Sequence, residues 1–314
     1  MRRILVLRGG ALGDFIVTLP ALALLRNRWP GARLELAGNA RAAQLAVNRG
    51  MLDAVHSQDE GRWRALFSPS PLSVGFAGWL DGFDLIINFW PDPDRVLAVH
   101  FPRHKGQEFL SGSARAGSAP AASHFCDPLR ALGLVPRKFF VPLAPVRGDE
   151  YSPSAAPRIA VHPGSGSPDK NWPGERWEKL CKWLIINYKA NLLIVSGEAE
   201  AQPPLGSLGI QARGLPLEEL AAQLAGCDRF LGHDSGVSHL AAACGVPCLL
   251  LFGPTDPALW APPAPHVRTI RRGPGLAAIS VSDVQNALVP WLQDDCRVNR
   301  ENNSLPPGPQ NRLF

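Results

Sequence analysis

The sequence predicts an α/β protein of two Rossmann-like domains in tandem, each a parallel sheet wrapped by helices. Three observations carry that expectation. Short strands alternate with amphipathic helices in both halves of the chain. The strands are apolar at every position rather than at alternate ones, as in a parallel sheet covered on both faces. Between the two series, Pro136 to Pro157 holds five prolines with weak periodicity, which places an interdomain linker at residues 146–157. The first domain is then 1–145 and the second 158–293. A chain of 314 residues is long enough for a substantial core in each.

In the first half, Ile4-Leu5-Val6-Leu7 reads as a buried strand and Arg8-Gly9-Gly10-Ala11-Leu12-Gly13-Asp14 as a glycine-rich turn. The helix predicted over 15–28 presents Leu19, Leu22, Ala23 and Leu25 on one face. Leu34 to Ala37 is a second strand, 41–47 a second helix and Ala54 to His56 a third strand. This βαβαβ opening implies right-handed crossovers and a parallel sheet. Two short helices flank Ser68-Pro69-Ser70-Pro71. Asp84 to Phe89 is a clear strand, and Pro91 to Asp94 breaks the chain. Residues 111–123, rich in Ser, Ala and Gly, read as a mobile loop, and 124–132 as a helix stopped by Gly133.

The second half repeats the alternation. Arg158 to His162 is a strand, 163–173 a long polar loop, and 175–188 a helix with Trp177, Leu180, Cys181 and Leu184 on one face. Leu192 to Ser196 is a strand and 217–224 a helix. Phe230 and Leu231 end another strand, and Gly232 allows a sharp exit from it. Asp234 or Ser235 then caps a short helix whose face is Val237, Leu240 and Ala241. Gly245 and Pro247 stop that helix, and Cys248 to Phe252 is a buried strand. Val267 to Ile270 is the last strand and 281–292 the last helix; from Asp294 on the composition predicts a disordered tail.

Charged residues make up 19% and hydrophobic residues 46%, as in a globular chain. The net charge of +5 and pI ≈ 9.1 suit anionic substrates or an anionic membrane surface, but the charge is too dispersed for nucleic acid. The early arginines, Arg8, Arg26, Arg28, Arg33, Arg41 and Arg49, read as a solvated face. Six scattered cysteines form no Cys-x-x-Cys and no zinc spacing, which points to a reducing, cytoplasmic setting. The N-terminal apolar stretch is too short for a signal peptide, and no apolar run approaches the ~18 residues of a membrane span. The residues set no oligomeric state.

Two turns have the chemistry of a phosphate site. The entrance of the helix after Gly232 leaves free backbone N–H groups at the positive end of a helix dipole. The loop His162-Pro163-Gly164-Ser165-Gly166-Ser167-Pro168-Asp169-Lys170-Asn171-Trp172-Pro173 offers hydroxyls, unhindered N–H groups and one lysine. It is not a P-loop, because no Gly-Lys-Ser/Thr follows. The turn at 8–14 is not a dinucleotide fingerprint, because Arg8 stands where the first glycine belongs and Glu35 lies inside the second strand. Gly232-His233-Asp234-Ser235-Gly236 has the outline of a nucleophile elbow, but His266 is the only histidine downstream of His239 to serve as its base. Asp92-Pro93-Asp94 has an Asp-x-Asp form, yet flanking prolines make exposed turn residues the better account, so no catalytic metal is expected.

Asp-Ser-Gly, two residues, His-Leu-Ala-Ala-Ala, Gly-Val-Pro and Phe-Gly-Pro-Thr-Asp-Pro, between Gly232 and Pro257, resemble the donor-site signature of family-9 glycosyltransferases, the heptosyltransferase family. Gly13-Asp14 before Thr18-Leu19-Pro20 resembles the family's N-terminal motif, and the loop from His162 to Pro173 its His-Pro-Gly loop ending in Lys-x-Trp-Pro. The resemblance implies a GT-B fold, with the acceptor on the first domain and the nucleotide-sugar on the second. It implies an inverting, metal-independent transferase without a cofactor, moving a sugar such as heptose from ADP-heptose to a lipopolysaccharide-core-like or other glycan acceptor. Asp14 matches the family's general base, a task a carboxylate suits. Lys170, Ser165 and Gly166 would meet the diphosphate, Asp234, Ser235, Gly236 and His239 the donor, and Glu200, or else Glu198, the ribose. Gly10 and Gly13 would line the acceptor side, although Gly9 and Gly10 replace the small hydroxyl residues common there. A lipid-linked acceptor implies peripheral contact with anionic membrane. Each residue has a plainer account: Asp14 as a helix cap, His239 as a core histidine, Lys170 as a solvated lysine. Two rival functions follow, a nucleotide-sugar-binding protein without transfer and an epimerase or hydrolase on the same fold.

Overall fold

Strand β1 (Arg3–Arg8) lies at the centre of a five-stranded sheet with β2 (Arg33–Gly38), β3 (Ala54–Ser57), β4 (Leu85–Asn88) and β5 (Glu108–Ser111), in the order β3-β2-β1-β4-β5. Every neighbouring pair is parallel. The centre of β1 is buried on both faces, which is why its sequence is an unbroken apolar run. Helices α1 (Leu12–Arg28), α2 (Ala40–Val47), α3 (Val74–Asp81) and the short α4 (Ala121–His124) cover this sheet. This computed structural model describes residues 2–117, 120–143, 156–197 and 205–303, the last eleven of them by backbone alone. The expected linker therefore lies outside the described residues except for its final two.

The second sheet has six parallel strands: β6 (Arg158–Val161), β7 (Asn191–Ser196), β8 (Ile210–Arg213), β9 (Arg229–His233), β10 (Cys248–Phe252) and β11 (Val267–Arg271). Their order is β11-β10-β9-β6-β7-β8. The helices here are α5 (Gly174–Tyr188), α6 (Leu217–Ala225), α7 (Gly236–Ala243), α8 (Pro257–Trp260) and α9 (Val281–Asn303). The disordered tail expected from Asp294 is corrected at its start, since α9 runs on to Asn303. Pro290 sits inside that helix, and no Gly or Pro follows before Pro306 to stop it.

In each sheet the strand order reverses between two central strands, β1 and β4 in the first, β6 and β9 in the second. Loops leaving two such strands turn to opposite sides and open a crevice at their carboxyl ends, where ligands of this fold bind. The turn at 9–14, the loop at 162–173 and the turn at 234–236 leave β1, β6 and β9. All three groups of candidate residues thus sit at switch points.

One apolar cluster runs through both halves. It joins Leu19 and Leu22 of α1 and Leu45 of α2 to Leu224 of α6 and Leu240 of α7. Polar ties reinforce this seam: Arg49 pairs with Glu218 at 2.8 Å, and the Leu143 N–H donates to the Ala243 carbonyl at 2.8 Å. The reading of the early arginines as a solvated face is therefore corrected for Arg8, Arg26 and Arg49, which are buried or half-buried, while Arg33 stays exposed. Arg8, Arg26, Arg33 and Arg49 pair with Asp14, Asp53, Glu35 and Glu218.

Candidate active site

The first-domain half grows from the end of β1. Gly10 has φ +103°, the left-handed region that a glycine enters without strain. The chain then turns into α1 with Asp14 in its first turn, three residues after the N-cap Ala11. The Asp14 carboxylate folds back: Oδ2 accepts from the Ala11 N–H at 2.9 Å and Oδ1 from Arg8 Nη2 at 2.9 Å. Asp14 is thus a cap and more than a cap. Its side chain is 36% exposed, on the cavity, whereas the Arg8 side chain is 4% exposed. A binding protein that had lost transfer could bury Asp14 against the core; here it stands open.

Buried histidines build the second half. His233, at the end of β9, is fully buried. Its Nε2 accepts from the Trp172 N–H at 2.9 Å, so the proton sits on Nδ1, which faces the Gly164 carbonyl at 3.4 Å. One ring thereby ties both ends of the 163–173 loop. Burial lowers its pKa to about 4, against the opposing Gly164 bond and Asp234, and lowers that of His162 to about 3 with help from His233. Both are neutral at pH 7. On this frame Lys170 Nζ donates to Asp234 Oδ2 at 2.8 Å. Ser235 caps α7, its Oγ accepting from the Ser238 N–H at 3.3 Å and lying 3.3 Å from His162 Nδ1. His239 is 5% exposed; burial lowers its pKa, opposed by Asp234, Asp14 and a bond to the Trp260 backbone.

The two halves meet around a cavity of about 350 Å³ that Asp14, Gly166, Lys170, Asp234, Ser235 and His239 all line. Helices α1 and α7 both begin at its wall and pack on each other. Gly13 and Gly236 are the contact: a methyl on Gly236 would stand 2.9 Å from the Gly13 nitrogen, and one on Gly13 would stand 3.4 Å from Gly236 Cα. Arg8 and Lys170 offset Asp14 and Asp234 charge for charge. The two helix N-termini, each about +0.5 of a charge, are the surplus, and they favour an anion. A larger hollow of about 790 Å³ beside α5 takes in Pro163 and Asn171 but none of Asp14, Lys170, Asp234 or His239.

Several expected residues stand elsewhere. Ser165 is not on the cavity wall; its hydroxyl lies 2.7 Å from both the Ser167 carbonyl and Asn171 Oδ1, so Ser167 takes the place on the wall. Gly10 is not on the wall either, and its role is to leave room for Asp14. Gly13 lines the cavity but serves as the contact with Gly236. Glu198 and Glu200 lie outside the described residues. Glu35 is buried under Arg3, Arg33 and His56, which removes it from any ribose. Asp92 caps the backbone N–H groups of Leu97 and Ala98 at 2.9 Å each, as a turn residue does. His266 bonds the Ala242 carbonyl, at the far end of α7 from Ser235, so the elbow has no base there. The residues that composition did not mark are Arg8, His162, His233, Ser167 and Trp260. Of these, His233 had a signal: a histidine closing an apolar strand must be hydrogen-bonded inside.

Comparisons with known proteins bear on the fold and on the family it resembles. The family model of glycosyltransferase family 9 (heptosyltransferase) matches residues 145–282. Lipopolysaccharide heptosyltransferase 1 of Pseudomonas aeruginosa is 26% identical over 287 residues, covering 81% of this chain and 79% of that protein. Among solved structures, the family-9 glycosyl transferase of Veillonella parvula superposes with a TM-score of 0.75 at 20% identity, covering 93% of this chain and 98% of that one. The E. coli heptosyltransferase WaaC, solved with ADP, gives 0.69 at 19% identity over 91% and 98%. The fold is GT-B. The second half of the chain thus matches the model of glycosyltransferase family 9, and relatives named as heptosyltransferases resemble it across both halves.

Proposed function

We propose that this chain transfers a heptose from ADP-heptose to a lipopolysaccharide-core-like glycan, with inversion and without a metal or cofactor. The observation that carries the reading is the single cavity in which a carboxylate of one half faces a lysine and a helix N-terminus of the other. The acceptor hydroxyl oxygen attacks the anomeric carbon as the bond from that carbon to the diphosphate oxygen breaks. The hydroxyl proton passes to Asp14. Negative charge grows on the departing diphosphate, where Lys170 and the N–H groups at the start of α7 stand ready. Lys170 gives up part of its bond to Asp234 to do so. One displacement from the face opposite the leaving group inverts the anomeric centre. Neutral His162 and His233 hold the loop without adding charge that would compete for the phosphates. Outside this cavity, we place the protein peripherally at the inner face of the cytoplasmic membrane, held by its net charge of +5; among the described residues no helix is long and apolar enough to cross a membrane.

The test is a donor panel. Nucleotide diphosphates are ranked by thermal shift, and the matching sugar donors are then incubated with and without a glycan acceptor. Transfer that needs the acceptor, with an inverted product, is the expected result. Turnover of donor alone at the same rate sinks the transferase reading in favour of an epimerase or hydrolase.

A further inference from the structure

We infer that Arg8 is the positioning residue of the Asp14 base and that Gly10 is the clearance that lets the pair form; this rests on the transfer reaction proposed above. Capping α1 needs only the bond from the Ala11 N–H to Oδ2. It does not need a buried guanidinium, which is costly to desolvate. Yet Arg8 is 5% exposed and held on every side. Its Nε donates to Thr18 Oγ1 at 3.1 Å, its Nη1 to the Ala114 carbonyl at 3.3 Å and its Nη2 to Asp14 Oδ1 at 2.9 Å. Its plane lies over the Phe125 ring, 4.2 Å from the centroid. A group fixed in this way cannot follow the carboxylate; the carboxylate follows it.

The consequence is a defined set of lone pairs. Arg8 occupies one site on Oδ1 and Ala11 one on Oδ2, and a carboxylate has about four such sites. Those left over face the cavity wall that Asp14 lines. Thr18 locks the arrangement from beneath, its hydroxyl donating to Asp14's own carbonyl at 2.8 Å while accepting from Arg8. Gly10 completes it from above. A methyl there would stand 2.5 Å from Asp14 Oδ2 and 2.6 Å from its Cγ, on a backbone already at φ +103°. Asp14 is thus held between a fixed cation, a backbone N–H and an empty position.

Arg8→Met, Arg8→Lys and Gly10→Ala test this against the parent chain, with kcat and donor KM measured alongside melting temperature and a crystal structure of each variant. Misplacing a reacting group by an ångström can cost ~10²-fold. Arg8→Met is therefore expected to lower kcat about 10²-fold per folded enzyme, with donor KM within about threefold of the parent. Arg8→Lys should recover roughly a tenth to a third of the parent kcat, since an ammonium reaches Asp14 but cannot also hold Thr18 and Ala114 in a planar fork. A merely structural Arg8 would lower the melting temperature and leave kcat per folded enzyme unchanged, and that result overturns the inference. The crystallographic arm is independent of activity. A displaced Asp14 carboxylate in Arg8→Met and Gly10→Ala supports the inference, and a carboxylate in its parent position overturns it. Should the parent show no transfer with any donor, the transfer reading fails, and this arm still decides whether Arg8 and Gly10 position Asp14.

Discussion

The two halves of the site hold their polar groups by different means. In the first domain a carboxylate is held by a charged partner, Arg8 on Asp14. A buried carboxylate elsewhere in that domain, Glu35, is likewise held by Arg3 and Arg33, with His56 as a further hydrogen-bond partner. Burial works to raise the Glu35 pKa, and those three partners outweigh it and bring it to about 2. In the second domain the histidine frame under the site is uncharged. His162 and His233 are neutral and buried, and Lys170 and Asp234 pair on the cavity wall. A base that receives a proton keeps its place if a fixed cation holds it. On the proposed reaction, phosphates at this loop meet two carboxylates on the cavity wall, Asp14 and Asp234, each already paired with a cation.

The comparison breaks most visibly at Asp14. Asp14→Asn keeps the shape and can still accept the Ala11 N–H but loses the Arg8 ion pair, so the melting temperature should fall while the folded enzyme keeps its donor affinity. Transfer should fall by ~10²–10⁴-fold, the usual worth of a general base. A rate within a few-fold of the parent, with the true acceptor, reduces Asp14 to a cap. On the other side, Lys170→Ala should weaken nucleotide diphosphate binding by about 1–3 kcal/mol, the range for a charge-assisted bond, and leave nucleoside binding unchanged. Equal diphosphate affinity in variant and parent, by calorimetry, removes Lys170 from the site.

Acid should part the two halves. His162 and His233 have folded pKa values of about 3 and about 4 against an ordinary 6.5, so between those limits the unfolded chain binds protons that the folded chain does not. Their contribution is complete above about pH 6.5 and is lost on acidification, at most about 1.4 kcal/mol per histidine for each pH unit. Glu35 is depressed from 4.5 to about 2, so its contribution persists until the pH falls below about 4.5. Amide exchange followed from pH 7 to pH 4 should show β6 and β9 loosening before β1 and β2. The reverse order contradicts the contrast. The smallest effect concerns the surface. Association with anionic vesicles should weaken as salt rises, since each basic residue near the surface contributes about 1 kcal/mol and is screened. Arg64, Arg95 and Lys105, exposed on the first domain, are the basic residues to substitute. Salt-independent sedimentation removes the electrostatic account.

Much of the fold was legible because its strands are buried on both sides. β1, β4, β7 and β10 are unbroken apolar runs, and each was expected within about a residue or two of its bounds. The edge strands β5 and β8 were not foreseen. Glu108 and Ser111, and Ile210, Gln211 and Arg213, are exposed, and a short polar edge carries little hydrophobic pattern. Lys170, Asp234 and His239 were legible as motif residues and stand together on the cavity. Arg8 was not, because an arginine beside glycines reads as solvated until the third dimension brings Thr18, Ala114 and Phe125 around it. Ser165 was misplaced for a related reason: a loop with two serines does not tell which hydroxyl it spends on itself.

The abutting glycines carry a last consequence, for how this chain can change over time. A bulky residue at a packed contact is usually accommodated by shrinking its neighbour. Gly13 and Gly236 already face each other, one from each domain, and neither can become smaller. A methyl on Gly13 meets Gly236 at ordinary contact distance, but one on Gly236 is too close to the Gly13 nitrogen, and no second substitution at Gly13 rescues it. Relief has to come from shifting α1 against α7, and both helices begin at the wall that holds Asp14 and Asp234. A shift that makes room at Gly236 therefore widens the distance between Asp14 and Asp234, and the two domains can drift apart in sequence only while that position stays empty.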